Sequence, residues 1–143
     1  MTDDDQRDLF ARHLLLCKEV LYDPFSPGVA FSLRGLYVSI QPLDDIGYPF
    51  AFEQIAVFAQ LFGDPGEYRV WVEAYLLDEN HDNGERVLKQ GPVSVRVRPG
   101  RFLEGIDIRL REVAFPRPGL YEFVLRRDGF DEALITERLL LKE

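Results

Sequence analysis

The chain has 143 residues, of which 46% are hydrophobic and 29% charged, the composition of one soluble globular domain. Its 17 basic and 25 acidic residues leave a net charge of −8. Because such a surface repels nucleic-acid phosphates and anionic lipid headgroups, we expect neither a nucleic acid nor a membrane as partner. A single cysteine excludes an intramolecular disulfide and, with an acidic N-terminus, indicates a cytoplasmic protein.

The sequence reads as one domain. No linker rich in serine or glycine and no internal repeat divides it, so we predict a single domain over residues 12–143. Segment 1–11, which contains three consecutive aspartates, is expected to fray in solvent.

The domain is divided by prolines and glycines into apolar runs of strand length. In runs 93–98 and 106–111 apolar and polar residues alternate with a period of two, as in a strand with one buried face. Asp128-Gly129, between two later runs, is typical of a β-hairpin. We therefore predict an all-β fold, a single antiparallel β-sandwich (immunoglobulin-like or similar) of about seven to nine strands with little helix. The predicted strands are 13–22, 29–40, 50–62, 67–77, 86–90, 93–98, 103–113, 120–127 and 133–142.

The first apolar segment is ambiguous. From Leu9 to Leu21 the apolar residues have the spacing of one helix face, and Asp8 is a suitable helix cap. The segment is also long enough for a strand, and its periodicity alone leaves both alternatives open.

Several short motifs occur in order along the chain: Leu-Leu-Leu-Cys at 14–17, Gly-Glu-Tyr-Arg-Val at 66–70, and Pro-Gly-Leu-Tyr-Glu-Phe at 118–123, ahead of the Asp-Gly pair. In this order the sequence resembles an uncharacterised bacterial family of small β-sandwich proteins, a domain of unknown function. The resemblance covers roughly residues 12–142 and implies that 13–22 is the first strand of the sandwich. It implies no catalytic residue and no ligand.

Residues able to perform chemistry are few. If the segment is a strand, His13 lies about 13 Å from Cys17, at roughly 3.3 Å per residue, which is too far for proton transfer. The two histidines, His13 and His81, form no metal motif with the single cysteine, and none of the four serines lies in a nucleophile turn. We therefore predict a non-catalytic protein without a cofactor, and we expect Cys17 to be a buried core residue.

Segment 78–85 partly matches a calcium-binding loop. Its glycine is at the seventh position instead of the sixth, however, and Lys89 stands where a bidentate glutamate is required. A Ca²⁺ or small-ligand site built from loops 78–85 and 128–131 is therefore the alternative function, while a solvated loop with an Asn-Gly turn explains the same residues. The candidate calcium ligands are Asp78, Asn80, Asp82, Asp128 and Asp131.

The strongest functional signal is an apolar surplus on the neighbouring predicted strands 50–62 and 67–77. The first is apolar on both faces, and the second is expected to bury its valines and direct its aromatic residues outward. An aromatic patch on an outer sheet face is typical of an interface, unless a loop such as 41–49 covers it. We therefore predict a module that binds a protein partner or a second copy of itself. The candidate interface residues, expected to lie side by side, are Phe58, Phe62, Trp71 and Tyr75.

Overall fold

The structure, a computed structural model, describes residues 7–22, 31–41, 47–77, 84–99 and 104–143. Over these ranges the chain forms nine strands and no helix. The described residues therefore contain no helix that could cross a bilayer. The strands are β1 (Leu9–Tyr22), β2 (Phe31–Leu36), β3 (Ser39–Ile40), β4 (Phe50–Gly63), β5 (Gly66–Leu76), β6 (Glu85–Val97), β7 (Glu104–Phe115), β8 (Gly119–Arg127) and β9 (Ile135–Leu141).

The strands form two sheets that pack against each other. The four-stranded sheet has the order β2-β1-β4-β7, and the five-stranded sheet has the order β3-β9-β8-β5-β6. Neighbouring strands are antiparallel except β3 and β9, which are parallel. The predicted all-β sandwich is confirmed.

The core lies between the inward faces of the two sheets. In β4 the inward side chains of Ile55, Val57 and Leu61 are at most 1% exposed, and in β5 those of Val70 and Val72 are fully buried. Burial of such apolar surface is the main force that holds the sheets together, at roughly 25 cal/mol per Å². Because side chains alternate along a strand, the inward valines of β5 direct their neighbours to the opposite face.

β1 is a strand whose apolar spacing is altered by a bulge. Between Arg12 and Leu15 the register with β4 shifts by one residue, and His13 has a φ of 58°. Leu9, before the bulge, and Leu14, after Arg12 and His13, are both buried in the core. The extra residue changes which side chains face inward from odd-numbered to even-numbered positions, which produces the helix-like pattern of the sequence.

The sandwich begins earlier than predicted. Leu9, Phe10 and Ala11 pair with β4, so these residues belong to the sheet and not to a frayed segment 1–11. Just before them, the Asp8 backbone N–H donates to the Asp64 carboxylate at 2.8 Å. Residues 1–6 lie outside the described part of the chain.

Two other predicted boundaries differ from the structure. Predicted strand 29–40 includes both β2 and β3, which belong to different sheets. Predicted strands 86–90 and 93–98 are one strand, β6, which contains Pro92. Because β6 is the edge of its sheet, a proline without an N–H group is tolerated there.

Candidate functional site

Trp71 and Tyr75 lie on the outer face of β5, as predicted. The residues between and beside them, Val70, Val72 and Ala74, are fully buried in the core. Alternation along the strand therefore directs both aromatic side chains away from the opposite sheet. Each is half-buried.

Phe58 and Phe62 do not lie beside them. Both are on β4, which belongs to the other sheet, so the prediction of one four-residue patch is wrong. Phe58 is 5% exposed and packs in a small separate cluster with Cys17 and Ala56. Phe62 stacks on Phe10, with 5.3 Å between the ring centroids. The covering loop considered as an alternative, 41–49, lies partly outside the described residues.

Glu73 lies between the two aromatic residues of β5 and binds both. One carboxylate oxygen accepts a hydrogen bond from Trp71 Nε1 at 2.6 Å, and the other accepts one from the Tyr75 hydroxyl. The Nε of Arg126, on the neighbouring strand β8, lies 3.3 Å from the oxygen that binds Trp71. Glu73 is only 6% exposed, and this set of donors satisfies its buried charge.

These surroundings hold Glu73 in its ionised form. Burial alone raises the pKa of the carboxyl group, but the hydrogen bonds from Tyr75 and Trp71 and the charges of Arg126 and Arg86 bring it below its ordinary value. Burial and the bond to Glu73 raise the pKa of Tyr75. At neutral pH Glu73 is therefore a carboxylate and Tyr75 a neutral donor.

β6 completes the surroundings of Trp71. The Nζ of Lys89 lies 5.3 Å from the indole centroid, a cation–π distance. Gly91 passes close to the same residue: its φ is +116°, and a Cβ added there would lie 2.9 Å from the Trp71 Cβ. A residue with a side chain at position 91 would therefore force the Trp71 Cβ and the adjacent backbone of β5 to shift. We call this group of side chains the aromatic face; its members are Trp71, Glu73, Tyr75, Lys89 and Arg126.

Sequence reasoning missed Glu73 and Arg126. The spacing of two along a strand places Trp71, Glu73 and Tyr75 on one face, so a carboxylate between two outward aromatic residues was a readable signal. The contribution of Arg126 depends on the pairing of β5 with β8, in which Arg126 lies opposite Trp71.

Cys17 is a buried thiol, as predicted. It is fully buried, and its Sγ lies 3.6 Å from the Ala56 carbonyl oxygen that accepts its hydrogen bond. Burial raises the pKa of the thiol, which therefore stays protonated at neutral pH. His13, four residues away, is exposed.

The calcium hypothesis stays a prediction. The segment with Asp78, Asn80 and Asp82 lies outside the described residues, whereas Asp128 and Asp131 are exposed in the β8–β9 connection. Within the described ranges, no group of three His, Cys, Asp or Glu side chains is placed to hold a metal ion.

A cavity of about 280 Å³ lies between the start of β1 and the β8–β9 connection, and Arg7 and Arg127 line it. Arg127 is 3% exposed, and its Nη1 donates to the Arg7 carbonyl oxygen at 2.7 Å. The guanidinium carbons of Arg7 and Arg127 lie 4.5 and 4.9 Å from the Tyr68 ring centroid, and that of Arg127 lies 4.1 Å from the Phe130 ring centroid. These contacts attach the start of β1 to the five-stranded sheet.

The role of Arg127 was also missed in the sequence. The alternation that places Tyr121, Phe123 and Leu125 in the core continues to Arg127. A charged residue at a core-facing position needs polar or aromatic partners, and this was the available signal.

No protein-family model and no curated protein matches the chain. Among solved structures it is similar to the alkylpurine DNA glycosylase AlkC of Pseudomonas fluorescens bound to DNA containing an abasic site analog, with a TM-score of 0.56 and 13% identity over 94% of this chain and 30% of that one. It is also similar to a GH3 β-glucosidase of Bifidobacterium adolescentis, with a TM-score of 0.50 and 9% identity over 94% of this chain and 17% of that one. The chain thus spans less than a third of either protein, and the likeness shows the fold alone.

Proposed function

We propose that this protein is a non-catalytic, cytoplasmic protein-interaction module that docks a partner protein on its aromatic face. The observation that carries the proposal is the Glu73 carboxylate, which holds Trp71 and Tyr75 on the solvent side of the sheet. Tryptophan, tyrosine and arginine are the residues most enriched among those that dominate binding energies at interfaces. Because Glu73 fixes both rings before binding, docking loses little side-chain entropy.

The chemistry of the described side chains supports a non-catalytic role. An activated nucleophile needs a lowered pKa, whereas burial raises that of Cys17. Glu73 is ionised but is bound to three donors, and neither residue lines the cavity beside Arg127. The single cysteine, which cannot form an intramolecular disulfide, supports the proposed location.

Capture of partners from an extract of the source cell tests the proposal. The baits are the wild-type protein, the double variant Trp71→Ser/Tyr75→Ser, and Val38→Ser, which changes a residue that is 78% exposed outside the aromatic face. We expect the wild type and Val38→Ser to recover the same protein in similar amount and the double variant to lose it. Equal recovery by all three folded baits would contradict the proposal.

Self-association is the other outcome for the same surface. Sedimentation of the purified wild type over a concentration series distinguishes it from binding to a different protein. If the mass of the wild type rises with concentration while that of the double variant stays at the monomer value, the partner is a second copy. A monomer at all concentrations is the result that we expect.

A further inference from the structure

The outer face of the five-stranded sheet carries a positive surplus on an acidic chain. The pairing of β5, β6, β8 and β9 places six basic and three acidic side chains on it, whereas the whole chain has a net charge of −8. The basic side chains are Arg69, Arg86, Lys89, Arg96, Arg126 and Arg138, and the acidic ones are Glu67, Glu73 and Glu122.

Two of the three acidic side chains are already paired within the face. Glu73 binds Arg126, and the Glu122 carboxylate lies 3.3 Å from the Nε of Arg138. The four other basic side chains of the face lie on β5 and β6; they are Arg69, Arg86, Lys89 and Arg96. One of them, Lys89, lies over the indole of Trp71.

A second basic residue of β6 lies beside Tyr75. Arg86 is its cross-strand partner, and Arg86 and Lys89 are both exposed. Each outward aromatic ring of the face thus has an exposed cation from β6 next to it.

We propose that the partner docked on the aromatic face is an acidic segment of another protein. Its carboxylates pair with Arg86 and Lys89, and its apolar side chains contact Trp71 and Tyr75. Complementary charge steers such an encounter and favours acidic over basic partners. The inference rests on the proposed function, because it concerns the same face.

Basic side chains beside aromatic rings also bind single-stranded nucleic acid. The observations favour the protein segment. Base stacking needs an open ring face, whereas Lys89 already lies over the indole of Trp71.

The intrinsic fluorescence of the full chain provides the test, because Trp71 is its only tryptophan. The probes are an acidic decapeptide of glutamate with two leucines, the same peptide with lysine in place of glutamate, and a thymidine decanucleotide. We expect the acidic peptide alone to change the emission of Trp71 saturably. Its affinity should fall at least about fivefold between low salt and roughly 0.3 M NaCl, because salt screens exposed charges.

Charge-reversed variants complete the test. Arg86→Glu/Lys89→Glu should weaken binding of the acidic peptide about tenfold. Arg34→Glu, the same change at a 68% exposed side chain of the other sheet, should leave binding unchanged. If the double reversal impairs folding, Arg86→Gln/Lys89→Gln is used, with a smaller loss expected.

Three results would overturn the inference: no saturable change with the acidic peptide, equal binding by the folded charge variants, or binding of the decanucleotide in its place. The proposed function has a separate outcome. If Trp71→Ser/Tyr75→Ser loses the captured partner while the charge-reversed variant keeps it, the docking face stands and the acidic partner does not.

Discussion

The indole Nε1 of Trp71 lies 2.6 Å from a carboxylate oxygen of Glu73, two residues along the same strand. Glu73 is 6% exposed, although it is on the outer side of the sheet. A buried carboxylate needs donors to offset its lost hydration, and its two charged oxygens in turn orient those donors. Glu73 is therefore the positioning residue of the aromatic face, and Trp71 and Tyr75 are its contact residues.

Glu73→Gln should destabilise the fold. The amide keeps one acceptor oxygen, so either Tyr75 or both Trp71 and Arg126 lose the oxygen that they bind. We expect the free energy of unfolding to fall by about 1–3 kcal/mol, the cost of an unsatisfied buried polar group. Urea unfolding followed by fluorescence measures it. Glu67→Gln, an exposed change on the same face, is the control, and an equal effect of both would contradict the assigned role.

The contribution of Glu73 should also depend on pH. Its pKa in the folded protein is lowered, so the stability it contributes is complete above the unfolded pKa and is lost as the pH falls through the folded pKa. The difference in free energy of unfolding between the wild type and Glu73→Gln should be constant near neutral pH. It should become smaller as the pH falls below 4.5, the ordinary pKa of a glutamate carboxyl group. A difference that widens in acid would show that the carboxylate is not the stabilising form.

Arg127→Met should loosen the start of β1. The substitution removes the hydrogen bond to the Arg7 carbonyl and the guanidinium beside Tyr68. We expect the amides of Leu9 and Phe10 to exchange hydrogen at least about tenfold faster, as in local opening, while the centre of β4 is unchanged. Arg138→Met, at an exposed arginine, should change neither region.

Equal acceleration throughout the sandwich would contradict this account of Arg127. It would show that the residue supports the whole fold and not the attachment of one strand end.

The bulge in β1 predicts an unusual order of substitutions at His13. This exposed residue has a φ of 58°, a conformation that costs a residue with a side chain about 1–2 kcal/mol and costs glycine little. His13→Gly should not lower the free energy of unfolding, because relief of this strain offsets the greater chain entropy of glycine. His13→Val should lower it, because a β-branched residue disfavours this conformation most. Equal stability of the two variants would contradict a positive φ at position 13.

The alternation of side chains along strands allowed the buried and outward faces of β4 and β5 to be predicted from the sequence. The valines of β5 and the alternate residues of β4 are buried as the period of two predicts, and Trp71 and Tyr75 are on the outer face. Alternation assigns a side chain to a face of its own sheet, but it does not say which sheet a strand joins.

This explains the error at Phe58 and Phe62. Only Asp64 and Pro65 separate β4 from β5, which suggests a hairpin, yet the two strands lie in different sheets. The glycines on either side of this turn, at 63 and 66, have φ values of 144° and 150°, which only glycine adopts readily. They allow the chain to cross between the sheets. No local propensity distinguishes such a crossing from a tight hairpin.

The β8–β9 connection also shows that a local sequence signal does not determine the arrangement of the strands around it. Asp128-Gly129 does form the turn between the two strands, with a φ of 85° at the glycine. The connection continues to Leu134, however, before β9 begins at Ile135. Its extra residues contribute Phe130 to the cavity beside Arg127. The dipeptide predicts a turn, and the length of the loop depends on contacts made elsewhere in the fold.

Site-specific photo-crosslinking in the source cell tests the docking face most directly. A photoreactive phenylalanine analogue is placed at position 69, an exposed position two residues from Trp71 on the outer face of β5, or at position 62, on the four-stranded sheet. We predict a discrete crosslinked partner from position 69 and none from position 62. Crosslinking from position 62 alone, or equally from both positions in folded protein, would contradict it.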